Sequence, residues 1–148
     1  MRYKNTKNRK IFNVTKGENK FDAKEDGGTQ NGYIKYEING TAMLVGEMLS
    51  NPEKESGIGS LLLFLAVKDA IEQNCGLVQI LNAAEDARGF YFHMGCRLDA
   101  DIADILSNGD FSDEERKKLI ARCPIEGQAM TVLNASHTSM FKSWERQG

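Results

Sequence analysis

The segment Lys54-Glu55-Ser56-Gly57-Ile58-Gly59-Ser60 sets two glycines where an apolar strand hands over to a helix. Free backbone N–H groups and the positive end of the helix dipole converge there on one spot, which suits a phosphate. Glycine lets a ligand approach the backbone and permits positive φ. The same turn also serves plain helix entry and close packing, and Gly-x-Gly alone does not separate the two uses. It is not a P-loop, which needs Gly-Lys-Ser/Thr four residues after a first glycine. Nor is it a dinucleotide fingerprint, which wants a third glycine where Leu62 stands. Glu47 is the other chemical candidate. It is a lone carboxylate on an otherwise apolar strand, where loss of water would raise its pKa toward the range useful to a general base. His93 and Cys96 have no further ligands near them in sequence, so no metal site is expected, and His137 is assigned no role.

These residues need elements to hold them. Ile11 to Val14 is β-prone, and Gly17 to Gly32 reads as turns around one more strand near Phe21 to Ala23. From Tyr33 to Ile38, alternation puts Ile34, Tyr36 and Ile38 on one face, and Asn39-Gly40 predicts a type I′ hairpin turn. The returning strand, about Thr41 to Ser50, is apolar on both faces, with Ala42, Leu44 and Met48 on one side and Met43, Val45 and Leu49 on the other. A helix of about 15 residues opens at Gly57-Ile58-Gly59 and closes before Gly76, leaving Lys68, Asp69, Glu72 and Gln73 for water. Leu77 to Leu81 then predicts a second buried strand, parallel to the first through a right-handed crossover. A second helix runs from about Glu85 to Met94, and an acidic helical stretch lies around Ile102 to Leu106. Ser112 to Glu115 is a capping box, Gln128 to Leu133 a final strand, and Met140, Phe141 and Trp144 mark a terminal helix.

Two blocks in this order, Ser56-Gly57-Ile58-Gly59-Ser60-Leu61-Leu62 and, about thirty residues on, Ala87-Arg88-Gly89-Phe90-Tyr91-Phe92-His93-Met94-Gly95-Cys96, resemble the GNAT superfamily of acyl-CoA-dependent N-acyltransferases over residues 33 to 97. The resemblance implies an α/β (α+β) fold, with a mixed, partly parallel central sheet flanked by helices. It also implies acetyl-CoA as acyl donor and a primary amine, on a small molecule or a protein, as acceptor. The diphosphate of coenzyme A would sit on Lys54, Glu55, Ser56, Gly57, Ile58, Gly59 and Ser60, and the pantetheine arm between the strands ending at Ser50 and Asn82, with Leu49 and Ser50 as backbone partners. Tyr91 matches the tyrosine that protonates the departing thiolate, and Glu47 is the candidate base. The chain departs from the pattern at Glu55, which must point outward from two phosphates, and at Cys96, where an aromatic is usual. It has little room before Tyr33 for the two helices that roof the acceptor, so abbreviated N-terminal helices and an open acceptor site are expected. The alternative is a non-catalytic CoA-binding or regulatory module on the same fold.

Composition bounds these readings. At 148 residues the chain has the length of one domain, and 41% hydrophobic with 27% charged residues is a globular balance. A formal net charge of −2 lacks the basic footprint of a nucleic-acid binder. The longest apolar run, Leu61 to Val67, is far short of a membrane span. Residues 1 to 30 hold eight Lys or Arg against four acids, so a basic N-terminal segment over residues 1 to 10, mobile above an acidic body, is expected. With no secretory signal at the start, a cytoplasmic location is the default. Cys75, Cys96 and Cys123 are read as reduced, packed thiols. The stretch from Leu98 to Cys123 could serve as a homodimer interface or as a substrate cover.

Overall fold

The computed structural model describes residues 1–51, 57–81, 90, 91, 94, 96, 109, 110, 112–115, 128–131 and 139–147. Among them the chain is α+β. Strands β1 (Arg2–Asn5), β2 (Ile11–Gly17), β3 (Lys20–Glu25), β4 (Asn31–Asn39) and β5 (Ala42–Asn51) precede helix α1 (Ile58–Glu72). Strands β6 (Leu77–Ile80) and β7 (Gln128–Thr131), the short helix α2 (Ser139–Lys142) and β8 (Trp144–Gln147) follow. The strands form one mixed sheet in the order β7-β6-β5-β4-β3-β2-β1-β8, in which β5 and β6 are parallel and every other neighbouring pair is antiparallel. The unit expected around the glycine turn, a strand, a helix and a parallel strand, is present with α1 at the predicted 15 residues. No helix among the described residues is long and apolar enough to cross a membrane.

Residues 1–51 contain no helix, so the abbreviated N-terminal helices expected above are replaced by a five-stranded antiparallel meander. The basic start is likewise no loose arm. β1 pairs with β2 and β8, and Tyr3 is buried with its ring edge-on to Phe64 of α1. The hairpin joining β4 and β5 turns one residue later than predicted. Asn39 pairs with Ala42, leaving Gly40-Thr41 as the loop, and of these only Gly40 has positive φ, the pattern of a type II′ turn. Trp144, expected on a terminal helix, heads the edge strand β8, where its ring packs edge-on against Phe12.

Helix α1 covers one face of the sheet. Phe12, Val14, Phe21, Ala23, Ile34, Tyr36, Met43 and Val45 point toward it from alternate positions of β2 to β5, and every residue from Leu61 to Val67 is buried. Phe141 of α2 meets Phe64 of the helix edge-on at 5.1 Å. One residue of α1 contradicts the predicted polar face. Asp69 continues the stripe of Leu62 and Leu65 and is only 4% exposed, whereas Ile71 is 40% exposed. The Asp69 carboxylate accepts hydrogen bonds from the Tyr36 hydroxyl at 2.5 Å, Gln73 Nε2 at 2.8 Å and Lys16 Nζ at 3.1 Å, which is why it is tolerated inside.

Gly32 lets β4, β5 and α1 close on one another. A Cβ there would stand 2.3 Å from the Leu49 carbonyl oxygen, 3.0 Å from Leu62 Cδ1 and 3.2 Å from Ser50 Cα. The obstacle is backbone, so Gly32→Ala must push β4 away from β5. It is expected to cost about 2 kcal/mol, lowering Tm by roughly 4 to 8 °C in a thermal melt.

Candidate functional site

The glycine turn lies at the head of α1. Gly57 is the N-cap with φ of 140°, a conformation that disfavours any side chain, and no side chain caps the helix. The first intrahelical bond runs from the Leu61 N–H to the Gly57 carbonyl. The N–H groups of Ile58, Gly59 and Ser60 therefore have no acceptor within the helix, and the first turn carries no acid to compete with an anion. Gly57 and Ile58 are buried, while Gly59 and Ser60 are half-buried and open the turn on one side. A Cβ at Gly59 would lie 3.3 Å from Phe90 Cζ, so this glycine also admits the aromatic pair Phe90-Tyr91 against the helix. Ser60 Oγ accepts a 3.2 Å hydrogen bond from Trp144 Nε1, which ties the turn to the far edge of the sheet and leaves the serine O–H free to donate.

Strand β5 meets α1 across Gly32, where a Cβ would touch both Ser50 Cα of β5 and Leu62 Cδ1 of α1. Its parallel pairing with β6 covers Ala42 to Val45 and ends with the Leu81 N–H donating to the Val45 carbonyl at 2.8 Å. Beyond that point the registers Tyr36↔Val45 and Lys35↔Glu47 leave Gly46 as an extra residue, a β-bulge. Gly46 to Asn51 stay paired with β4 but, among the described residues, have no β6 partner, so there the two parallel strands share only the first half of β5. Leu49 and Ser50 lie in this second half, where an extended ligand could take up the backbone groups that β6 does not.

The bulge also relocates Glu47. Strict alternation sets Glu47 with Met43 and Val45; the extra residue turns it to the opposite, solvent-facing side, and brings Met48 round to the face of Ile34. The desolvated carboxylate expected at this position is therefore not found. Glu47 accepts a short hydrogen bond from the Tyr33 hydroxyl and lies 3.8 Å from Lys35 Nζ, with its side chain 54% exposed. Tyr33 is the partner that sequence reasoning missed. Its phenol is held above the usual value by the hydrogen bond to Glu47, with loss of water and repulsion from the Glu47 charge adding to it. The ammonium groups of Lys20 and Lys35 each lie 5.3 Å from its ring centroid.

Tyr91 is helical, buried within the main core and edge-on to Phe90 at 5.2 Å. Burial, and then the neighbouring Cys96, push its phenol up to about 12, so it stays protonated throughout the neutral range. Lys54, Glu55, Ser56 and Asn82, with most of the second predicted helix and the stretch around Ile102 to Leu106, lie outside the described residues. Of the capping box, Ser112 is seen in its expected role, its Oγ accepting the Glu115 N–H at 3.2 Å. Comparison of the chain with models of protein families, with curated proteins and with solved structures finds no match.

Proposed function

We propose that the protein is an acyl-CoA-dependent N-acyltransferase of GNAT-like build, taking acetyl-CoA as donor and a primary amine as acceptor. One observation carries this reading: an uncapped helix N-terminus heads a helix that closes through Leu62 on Gly32 beside Ser50, in the half of β5 that has no β6 partner among the described residues. A diphosphate suits the first feature, through Gly57 to Ser60. An extended amide-bearing arm suits the second, along Gly46 to Asn51, with Leu49 and Ser50 supplying backbone groups.

The donor brings an activated thioester. In the transfer, the amine nitrogen forms a C–N bond to the acyl carbon while the C–S bond breaks. The amine proton leaves by way of water to Glu47, which lies on the sheet face opposite the core that holds Tyr91, and the sulfur takes a proton from the Tyr91 hydroxyl. Strand N–H groups near the bulge would hold the charge that develops on the carbonyl oxygen. Glu47 faces water and is held between Tyr33 and Lys35, so an acceptor would reach it across the open face of the sheet.

Titration calorimetry with acetyl-CoA and CoA, followed by thiol-release assays against a panel of amines, tests the assignment. Binding of both, with thiol released in the presence of an amine, is the expected result. A second reading is a non-catalytic CoA-binding module. It is favoured by the burial of Tyr91 and by the engagement of Glu47 with Tyr33 and Lys35, and it predicts binding with no turnover on any amine. Preference for ATP over CoA would instead identify a nucleotide-phosphate binder and remove both readings.

A further inference from the structure

Gln30, at the start of β4, is 1% exposed, and its Oε1 is the one buried side-chain oxygen or nitrogen among the described residues with no hydrogen-bond partner. An orphaned amide oxygen of this kind destabilises the fold, and a residue that keeps such a cost calls for a use. The oxygen is aimed at the head of α1, where a Cβ on the N-cap Gly57 would lie 3.5 Å from it. The backbone of Gln30 is also held on both sides. Its N–H donates to Glu25 Oε2 at 3.2 Å and its carbonyl accepts from the Glu25 N–H at 2.8 Å, so the side chain leaves β4 in a fixed direction. A buried carboxamide with an unpaired oxygen therefore stands beside a helix end whose first three N–H groups have no acceptor in the helix and whose N-cap supplies none.

We propose that Gln30 is a ligand-contacting residue of this anion site, its carboxamide supplying a side-chain donor to a phosphate held by the amides of Ile58, Gly59 and Ser60. This deepens the acyltransferase reading and rests on it for the identity of the phosphate-bearing ligand. Turning the carboxamide end for end places Nε2 where Oε1 stands and aligns a fourth donor with the three free amides of the first turn. The anion selects that setting, because the alternative points an oxygen dipole at a negative charge. The arrangement trades stability for binding: the amide is a burden in the free protein and is satisfied only in the complex.

The test uses the full chain, thermal melts without ligand, and titration calorimetry with CoA and with inorganic pyrophosphate, for wild type, Gln30→Met and Gln30→Glu. Gln30→Met removes the orphaned amide at similar volume. It is expected to raise the melting temperature of the free protein and to weaken both probes at least tenfold. Gln30→Glu keeps the shape and puts a carboxylate beside the phosphate, so it is expected to weaken both probes further. An unchanged Kd in either variant, whatever its melting temperature, identifies a purely structural amide and overturns this proposal while leaving the acyltransferase reading intact. Wild type that binds neither probe overturns that reading and this proposal together.

Discussion

Tyr91→Phe is expected to slow acyl transfer by a factor of roughly 100 to 10,000 while leaving the affinity for acetyl-CoA within about twofold of wild type. The substitution removes one oxygen from a ring that keeps its place in the core, so the fold survives it. Steady-state thiol release at saturating amine, paired with calorimetry, measures the two effects separately. The direction of the phenol's pKa makes this a demanding assignment. A phenol near 12 gives its proton to an ordinary thiolate, whose conjugate acid lies at about 8.5, only uphill. The transfer comes into balance where the departing thiolate is stripped of water as well, because burial raises the thiol's pKa in the same direction. The tyrosine can therefore act only if the sulfur leaves inside the same dry region of the core. Full activity in Tyr91→Phe would remove it from the mechanism and leave the proton to water.

Asp69→Ala is expected to cost about 3 kcal/mol of stability at pH 7, a fall in Tm of roughly 6 to 12 °C. Most of the loss comes from the Tyr36 hydroxyl, which is buried and would lose its acceptor. The bond to Lys16 contributes less, because that side chain is 46% exposed and screened by water. The same network sets a pH dependence. Burial alone would raise the Asp69 carboxyl, but the hydrogen bonds from Tyr36, Lys16 and Gln73, with the charge of Lys16, outweigh it and hold the group below its ordinary value of 3.8. A depressed carboxylate stabilises the fold above its unfolded pKa, and that contribution is lost as pH falls through the lower folded one. Urea unfolding at pH 7, 5 and 3 should therefore show a constant gap between wild type and Asp69→Asn at the first two values and a narrower gap at the third. An equal gap at all three would mean that the charge of Asp69 does not matter. The network acts on its other members too. Burial first, and then the bond to Asp69, drive the Tyr36 phenol far up, and burial followed by the Asp69 charge raises the Cys75 thiol.

The middle of the chain was legible because its signals are local. A helix of unbroken apolar residues between glycines, an alternating strand before Asn39-Gly40 and a short apolar run at Leu77 each state their own structure, and together they imply the parallel pair β5 and β6. The two ends were not legible, because β8 becomes a strand only by pairing with β1 across nearly the whole chain, and β1 is held between β8 and β2. Each offers one anchoring aromatic, Tyr3 or Trp144, among charged and polar neighbours, and such short strands look the same as surface coil or helix in sequence. Asp69 was misplaced for a related reason. Its polarity reads as solvent-facing, and only the arrival of Tyr36 and Lys16 from β4 and β2 makes its burial affordable.

The site divides in the same way. Gly57 and Gly59 announced a helix entry able to hold an anion, and α1 starts there. The position of Glu47 could not be read, because one extra residue in a strand reverses every side chain beyond it. Gly46 was the available sign, a glycine inside an apolar strand, which often marks a bulge. Gln30 gave no sign at all, since a glutamine between a turn and a strand is unremarkable until its burial is known.

Crystals of the protein soaked in acetyl-CoA bear most directly on the central claim, that the head of α1 and the unpaired half of β5 form one binding site. The account predicts diphosphate oxygens within hydrogen-bond reach of the amides of Ile58, Gly59 and Ser60, and the pantetheine amides alongside Gly46 to Asn51. Density for the diphosphate at any other surface, or the arm directed away from β5, would contradict it.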